Sequence, residues 1–300
     1  MYIYRILVLA DIHGNTKAVS KLLTTIQESK IKVDLILIAG DLPETTPIRL
    51  ILQYILTHGN LSKRKYTHWV YKGRGRKQFV HAQIKSVKTI LTLLGSLKAP
   101  IVYIPGNVDS YEVQRLLKTW PNTKISFLCT TRKKFSNLQI AGYGGSEFIP
   151  IQYNIPLCDM EFHPNDFYSR LKPILRKKRD IKKSTVDILV THEAPAFQYE
   201  IEGKIRKGGS TSISKLINHM KPRISIFGHY HELPTIKKWK NTIYLNPGPL
   251  TCYYFSLIDI EGSRVRVSSK KMIPVRNDYK NIIYYYRLLK TKMNNNLVFI

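Results

Sequence analysis

Side chains of the kind that bind metal ions follow five separate apolar segments of this 300-residue chain. The apolar segments 3–10, 33–39, 101–104, 186–191 and 223–227 are each followed at once by acid, amide or imidazole groups. Two Asp, one Asn and four His share this placement: Asp11, His13, Asp41, Asn107, His192, His229 and His231. Because the carboxyl ends of strands in an open α/β sheet border one crevice, we expect these side chains to meet there.

The donor types indicate which metals the crevice would hold. A mixture of imidazole nitrogens and carboxylate or amide oxygens suits Mn, Fe, Zn or Ni, and we favour Mn. The donors outnumber the four ligands of a tetrahedral zinc site, whereas two ions about 3.5–4 Å apart could share them. Asp41 stands alone after its segment and is the candidate bridging ligand. Any one of these short motifs is weak evidence, and the prediction depends on the complete set.

Elements that alternate between strand and helix must position these side chains. The predicted strands cover 3–10, 33–39, 101–104, 125–128, 138–141, 186–191, 223–227, 234–238, 242–246, 251–260 and 263–270. The predicted helices cover 15–29, about 48–56, 79–97, 111–118, 159–178 and 212–220. The pattern predicts a single α/β domain over residues 1–270, with two packed sheets and outer helices. A basic, Tyr-rich extension over 271–300 follows, predicted as an appended helix and a loose tail.

The charge of the chain is strongly positive, at +28 from 48 Lys and Arg against 20 Asp and Glu. Either an anionic partner or a bias in composition accounts for it. Residues 61–77 carry seven basic residues and no acid, and we interpret them as a basic insertion loop. Its aromatic residues among the charges would suit nucleic acid, and a solvated loop is the alternative.

The remaining composition predicts a soluble cytoplasmic protein that binds no membrane. The three cysteines are widely spaced, which favours reduced thiols over a disulfide framework. The apolar N-terminal segment runs into a polar motif and not into a signal-peptide cleavage site. We found no apolar run long enough to span a bilayer. Assembly into an oligomer is compatible with these observations.

The motifs also occur in a characteristic order. D-x-H stands at 11–13, G-D at 40–41, G-N-V-D at 106–109, His192 lies in T-H-E-A-P, and G-H-Y-H stands at 228–231. In this order the chain resembles the calcineurin-like metallophosphoesterase superfamily. Further segments resemble its branch related to the Icc-type predicted phosphoesterases: G-Y-G-G-S at 142–146, T-H-E-A-P at 191–195, G-G-S at 208–210 and N-P-G-P-L at 246–250. The resemblance implies a four-layer α/β/β/α sandwich of two mixed sheets, with two metal ions at the strand ends.

The resemblance also implies a role for each side chain. It assigns Asp11, His13 and His231 to the first metal and a bridging position to Asp41. It assigns the second metal to three further ligands: Asn107, His192 and His229. A hydroxide held between the ions would attack the phosphorus of a phosphate ester. Asn107 and Asp109 are the predicted catalytic residues, and the role of Asp109 is to orient the groups that contact the metals.

Two positions depart from the family pattern. Val108 replaces a His that protonates the leaving group or steadies the transition state in relatives, so esters with poor leaving groups should react slowly. His81 is a candidate replacement for that acid. Glu193 stands in a stretch where relatives often have Ala-Pro-Pro. It could support the neighbouring ligand or be a solvated turn residue, and we favour the solvated turn residue.

Three functional hypotheses follow. The first is a metal-dependent phosphodiesterase acting on a nucleotide or another phosphate ester. The second is a nuclease acting on DNA or RNA, with Arg74 and Arg76 of the basic loop contacting phosphates. The third is a noncatalytic scaffold that keeps the fold. Val108 is the residue of the site that suggests it.

Overall fold

Two six-stranded β-sheets form the centre of the computed structural model, which describes residues 2–45, 62, 65, 73–120, 124–148, 158–176, 186–201, 204–273 and 298–299. The first sheet contains β1 (Tyr4–Leu9), β2 (Leu35–Ala39), β3 (Ile101–Ile104), β4 (Ile125–Phe127), β15 (Tyr254–Glu261) and β16 (Arg264–Lys271). The second contains β5 (Thr131–Phe135), β6 (Leu138–Tyr143), β9 (Ile188–Thr191), β12 (Ile224–Ile226), β13 (Thr235–Trp239) and β14 (Thr242–Asn246). Short strands lie outside both sheets: β7 (Ser146–Glu147), β8 (Glu161–Phe162), β10 (Phe197–Ile201), β11 (Lys204–Gly208) and β17 (Val298–Phe299).

The strand order brings the carboxyl ends of the central strands to one edge of each sheet. The first sheet has the order β16-β15-β1-β2-β3-β4, and β1 to β4 run parallel. The second has the order β13-β14-β12-β9-β6-β5, and β14, β12, β9 and β6 run parallel. Antiparallel strands complete both sheets: β15 and β16 in the first, β13 and β5 at the edges of the second.

Five α-helices and one short 3-10 helix accompany the sheets in the described part of the chain. They are α1 (Thr16–Glu28), α2 (Gly73–Gly95), α3 (Tyr111–Lys118), α4 (Pro164–Arg176), α5 (Thr211–Met220) and the 3-10 turn Leu250–Cys252. Asn15 caps α1 by accepting a hydrogen bond from Ala18 N, and Ser110 caps α3 by accepting one from Val113 N. Both helices therefore begin directly after loops that carry predicted site residues.

The apolar core is layered in the way that a sandwich requires. Along β1, Ile6 and Val8 pack with side chains of the second sheet, and Leu7 and Leu9 pack beneath the helices. A strand buried on both faces needs a continuous apolar run, which is what the sequence shows in 3–10. The outer face of the second sheet packs with α4 and α5 in a separate cluster that contains Phe167. The predicted four-layer fold of two mixed sheets is confirmed.

Several predicted elements need correction. The helix α2 begins at Gly73, so the loop predicted over 61–77 is wrong for residues 73–77. The helix predicted over 159–178 is wrong at its start, since Glu161–Phe162 forms a strand and Pro164 begins α4. Proline has no backbone N–H and favours the first turn of a helix, where that donor is not needed. The strands β5, β10 and β11 were not predicted.

Other predictions lie outside the described residues. The helix predicted near 48–56 and most of the extension over 271–300 are among them. Near the end of that extension, Val298–Phe299 pairs antiparallel with β10. The boundaries 1–270 and 271–300 stay predictions. Within the described residues, no helix has both the length and the apolar character needed to cross a bilayer.

Candidate metal centre

The loops that follow the parallel strands hold the predicted ligands in an unusual backbone conformation. Asp11, His13, Asp41 and His229 all have positive φ angles, between 48° and 67°. A left-handed backbone is costly for residues other than glycine, and such residues concentrate where function requires them. Each of these loops therefore turns sharply enough to direct its side chain back over the end of the sheet.

The glycines of the G-D and G-N motifs allow the ligands to approach closely. A Cβ atom on Gly40 would lie 2.7 Å from Cγ of His192, and one on Gly106 would lie 2.6 Å from Cγ of Asp41. Real Cβ atoms essentially never approach other atoms to under 3.0 Å. A glycine at each position is thus a condition for the contact between ligands from different strands.

Three predicted ligands form a first cluster. His231 Nε2 lies 3.2 Å from Asp11 Oδ1 and 3.2 Å from His13 Nε2. One ligand atom from each of Asp11, His13 and His231 falls within 4.8 Å of the other two. Two imidazole nitrogens and a carboxylate oxygen at this spacing could bind one divalent ion.

A second cluster surrounds His192, which is fully buried. His192 Nδ1 lies 2.9 Å from the carbonyl oxygen of Ala39, so this nitrogen carries the proton that it donates. His192 Nε2 then presents a lone pair in the neutral ring, 2.9 Å from Asn107 Oδ1 and 3.4 Å from Asp41 Oδ2. With the ring neutral, these three electron-pair donors would repel one another, and a cation between them, either a proton or a metal ion, turns that repulsion into binding. The residues present therefore fit a metal ion.

His229 lies beside this second cluster. Its ring packs edge-on against the ring of His192, with centroids 5.1 Å apart. Its backbone N–H donates to both carboxylate oxygens of Asp11, each at 3.2 Å. His229 thus contacts Asp11 of the first cluster through its backbone N–H and His192 of the second cluster through its ring.

Asp41 lies between the two clusters. Its Oδ2 atom is 3.8 Å from His13 Nε2 and 3.4 Å from His192 Nε2. Its Oδ1 atom accepts a hydrogen bond from Val108 N at 3.1 Å, which fixes the plane of the carboxylate. Asp41 is thus in position to serve both clusters, as the bridging prediction requires, and one carboxylate oxygen of Asp11 also falls within 4.8 Å of ligand atoms of Asp41 and His192.

The titration of these groups reflects their mutual attraction. Burial raises the pKa of Asp11 and Asp41, but nearby histidines outweigh burial and lower both values below the ordinary range. Burial lowers the pKa of His192, but Asp41 and its hydrogen bond outweigh it and raise the value to about 10. Burial and the neighbouring His192 lower the pKa of His229 to about 4. Without metal, a proton on His192 therefore occupies the space that a cation would take.

Asp109 is fully buried and holds the loops together. Its Oδ2 atom accepts from Gly106 N at 2.7 Å and from Asp41 N at 3.2 Å, and its Oδ1 atom accepts from the hydroxyl of Tyr103. Burial and the charge of Asp41 raise the pKa of Asp109 well above its usual value. These contacts suit the orienting role expected of Asp109, and the catalytic assignment of Asn107 and Asp109 stays a prediction.

Sequence reasoning missed the buried amide of Gln83 on α2. Its Nε2 atom donates to Val108 O at 2.7 Å, and its Oε1 atom accepts from Ser110 N at 3.0 Å. Gln83 thus clamps both sides of Asp109. His81, the candidate replacement acid, is exposed on the same helix. A lone polar residue within a helical pattern gave no signal for the role of Gln83.

Glu193 differs from its predicted environment. It is only 3% exposed, so the prediction of a solvated turn residue is wrong. Its two oxygens accept from Glu147 N at 3.2 Å and from Ala194 N at 3.0 Å. Burial raises its pKa to about 7, although these hydrogen bonds and His192 act in the opposite direction. Glu193 therefore fixes the backbone beside His192.

Arg76 does not have the free guanidinium that the nucleic-acid hypothesis expected. Its Nη2 atom lies 2.6 Å from Asp159 Oδ2 and 2.8 Å from Glu112 Oε2. These contacts tie α2 to α3 and to the segment before β8. The side chain of Arg74 and nearly all of 61–72 lie outside the described residues.

Comparison with known proteins places this chain in a family. A family model described as calcineurin-like phosphoesterase matches residues 4–233. The uncharacterized protein MJ1162 of Methanocaldococcus jannaschii is 29% identical over 161 residues, which cover 52% of this chain and 66% of that protein. The match thus spans just under two thirds of the relative.

Solved structures share the fold at low sequence identity. The protein TT1561 of Thermus thermophilus has a TM-score of 0.57 at 16% identity, covering 89% of this chain and 99% of that one. A dimetal phosphatase from Danio rerio has a TM-score of 0.51 at 11% identity, covering 90% and 96%. The chain belongs to the calcineurin-like phosphoesterase family, as its motifs predicted.

Proposed function

We propose that this chain is a metal-dependent phosphodiesterase that holds two divalent metal ions, with Mn favoured, and hydrolyses a nucleotide or another phosphate ester. The position of Asp41 carries the proposal. One carboxylate oxygen faces His13 of the first cluster at 3.8 Å and His192 of the second at 3.4 Å. A group so placed suits a pair of ions better than a single one.

Each of the two clusters would bind one metal ion. Asp11, His13 and His231 would hold one ion. Asn107, His192 and His229 would hold the other, with Asp41 shared. A bound metal pair supplies an activated water and stabilises negative charge on phosphoryl oxygens.

The surroundings of the ligands keep them ready to bind. The carbonyl of Ala39 fixes the tautomer of His192 so that Nε2 faces the crevice, and the N–H of Val108 orients Asp41. The buried network around Asp109 fixes the loops that carry Asp41 and Asn107.

Val108 supports a preference among substrates. It is 8% exposed beside the ligand loop and has no group that could donate a proton to a departing alkoxide. Esters whose leaving groups depart without protonation should therefore react fastest. The missing acid penalises diesters and monoesters of a poor leaving group alike, so the choice of a diester rests on the resemblance, in which members without this His often act on phosphodiesters.

The test compares bis-p-nitrophenyl phosphate with p-nitrophenyl phosphate, using metal-stripped protein with and without added Mn²⁺. We expect Mn-dependent turnover of the diester to exceed that of the monoester. Asp41→Asn should lower diester turnover by more than about 100-fold, because losing an outer partner of a metal ligand alone costs about 10–100-fold. Asp34→Asn is the matched control. Asp34 lies at the amino end of β2, whereas Asp41 follows its carboxyl end, and Asp34 accepts a hydrogen bond from Arg5 N.

Each outcome has a distinct meaning. Faster turnover of the monoester would contradict the diesterase assignment, and unchanged activity in Asp41→Asn would contradict the metal mechanism. Protein that binds two metals and turns over neither ester would indicate a narrower natural substrate. Protein that binds no metal would favour the noncatalytic scaffold.

A further inference from the structure

We infer that Glu161 is a positioning residue that fixes the Asn107 amide with its oxygen toward the second metal position. The inference rests on the proposed two-metal function and deepens it, because it explains how an amide is held as a ligand. Glu161 was predicted within a helix and belongs to no motif of the sequence. The structure places it in β8, beside the loop that carries Asn107.

The evidence lies in the two ends of one amide. Asn107 Nδ2 donates to Glu161 Oε1 at 3.1 Å, and Asn107 Oδ1 lies 2.9 Å from His192 Nε2. A carboxyl oxygen that accepts a hydrogen bond takes the NH2 end of an amide as its partner. The NH2 end of Asn107 accordingly faces Glu161, and its carbonyl oxygen faces the second metal position.

Glu161 is itself held in place. Its Oε2 atom accepts a hydrogen bond from Cys158 N at 3.2 Å. The strand that carries it pairs with β7, and its neighbours Met160 and Phe162 are buried. One carboxylate oxygen is thus used within its own turn, which leaves the other directed at Asn107.

An ion-pair cluster anchors the same turn to two helices. Asp159 Oδ2 lies 2.6 Å from Arg76 of α2 and accepts from Tyr111 N of α3 at 2.9 Å. Asp159 is two residues before Glu161, so these contacts limit how far the turn can move. Arg76, which the nuclease hypothesis expected to contact phosphates, thus helps to support the metal centre.

Removing the Glu161 acceptor would release the amide of Asn107. The amide could then rotate, and whenever the His192 ring loses its second proton the NH2 group could donate to the lone pair of Nε2 in place of a metal ion. That hydrogen bond would satisfy both groups and occupy the place of the second metal. The first cluster, of Asp11, His13 and His231, does not include Asn107 and should keep its affinity.

The experiment is a titration of metal-free full-length protein with Mn²⁺ by calorimetry, followed by electron paramagnetic resonance of the loaded protein. Wild type should bind two ions and show the signal of a spin-coupled Mn pair. Glu161→Met has a side chain of similar length without an acceptor, and its second binding step should weaken about 10–100-fold. The resonance of a lone Mn²⁺ ion should then replace the coupled signal at limiting metal.

Two further variants separate positioning from a general structural role. Glu161→Gln keeps an oxygen that can accept from Asn107, so it should recover most of the second binding step. Asp187→Asn is the control, because Asp187 also accepts from a backbone N–H, that of Gln139, but precedes β9 at the end opposite His192. It should bind two ions as wild type does.

Two results would overturn the inference and leave the proposed function standing. One is a wild-type protein and a Glu161→Met variant that bind both ions equally. The other is a Glu161→Met variant that loses both ions together with its circular dichroism signal, without rescue in Glu161→Gln. If wild type binds fewer than two ions, the proposed function fails and the inference fails with it.

Discussion

The glycine before Asn107 provides a sharp test of how the metal centre is packed. In Gly106→Ala, the added Cβ would lie 2.6 Å from Cγ of Asp41 and closer still to its Oδ1 atom. Asp41 cannot retreat easily, because Oδ1 accepts from Val108 N and its backbone N–H donates to Asp109. Relieving the overlap should therefore displace the carboxylate or its loop by about 1 Å, and a misplacement of that size costs about 100-fold in rate.

The measurement is Mn-dependent hydrolysis of bis-p-nitrophenyl phosphate, together with calorimetric Mn²⁺ affinity. We expect Gly106→Ala to lower turnover about 100-fold and to weaken metal binding, because the group shared between the two clusters has moved. Gly95→Ala is the matched control, since a Cβ at Gly95 meets nothing within 4 Å. Gly95 ends α2, and alanine there should leave activity unchanged and raise the free energy of unfolding by up to about 1 kcal/mol.

One result would refute this reasoning. If Gly106→Ala keeps wild-type turnover and metal affinity while it folds normally, then the position of Asp41 does not govern the site. A loss that appears equally in Gly95→Ala would point to a general effect of the added methyl group and not to this contact.

Two further predictions concern stability. Asp109→Ala removes the acceptor for two backbone N–H groups and the Tyr103 hydroxyl. Urea unfolding should therefore show a free energy of unfolding lower by about 1–3 kcal/mol. An unchanged free energy of unfolding would mean that the network is not stabilising. Arg5 hydrogen-bonds both oxygens of Asp259 and lowers the pKa of that carboxyl, so its stabilisation is present at pH 7 and is lost as the pH falls below about 4. Asp259→Asn should therefore cost up to about 1 kcal/mol at pH 7 and progressively less toward pH 3, and a difference that grows on acidification would contradict this sign.

The ligand set could be predicted because each member follows an apolar strand. Strands such as β1 and β2 are buried on both faces, so their sequences are continuous apolar runs that stand out from the rest. The residue after each run must lie at the sheet edge, which brings distant parts of the sequence together. Asp11, Asp41 and His192 stand at these positions, and Asp and His are residue types that bind metal ions, so a metal site could be predicted there.

The missed elements lack such a signal. The strand β5, Thr131–Phe135, is a largely exposed edge strand with three basic residues, and its pairing depends on its neighbour β6. The hairpin of β10 and β11 lies outside both large sheets and pairs mainly with itself. These segments form strands because they pair with neighbouring strands, since their own apolar patterning is weak.

The residues that support the site were harder to predict than the ligands. Glu161, Glu193 and Gln83 are polar residues whose burial arises only when separate segments pack together. Their partners are the backbone or an amide from other parts of the chain, so no spacing in the sequence marks them. The start of α4 at Pro164 was a usable signal, and it would have placed Glu161 outside the helix.

The most direct test of the account is anomalous diffraction from crystals of the full-length protein grown or soaked with Mn²⁺. The account predicts two anomalous peaks about 3.5–4 Å apart. One should lie among Asp11, His13 and His231 and the other beside Asn107 and His192, with Asp41 between them. A single peak, or two peaks that do not share Asp41, would contradict the proposed two-metal centre.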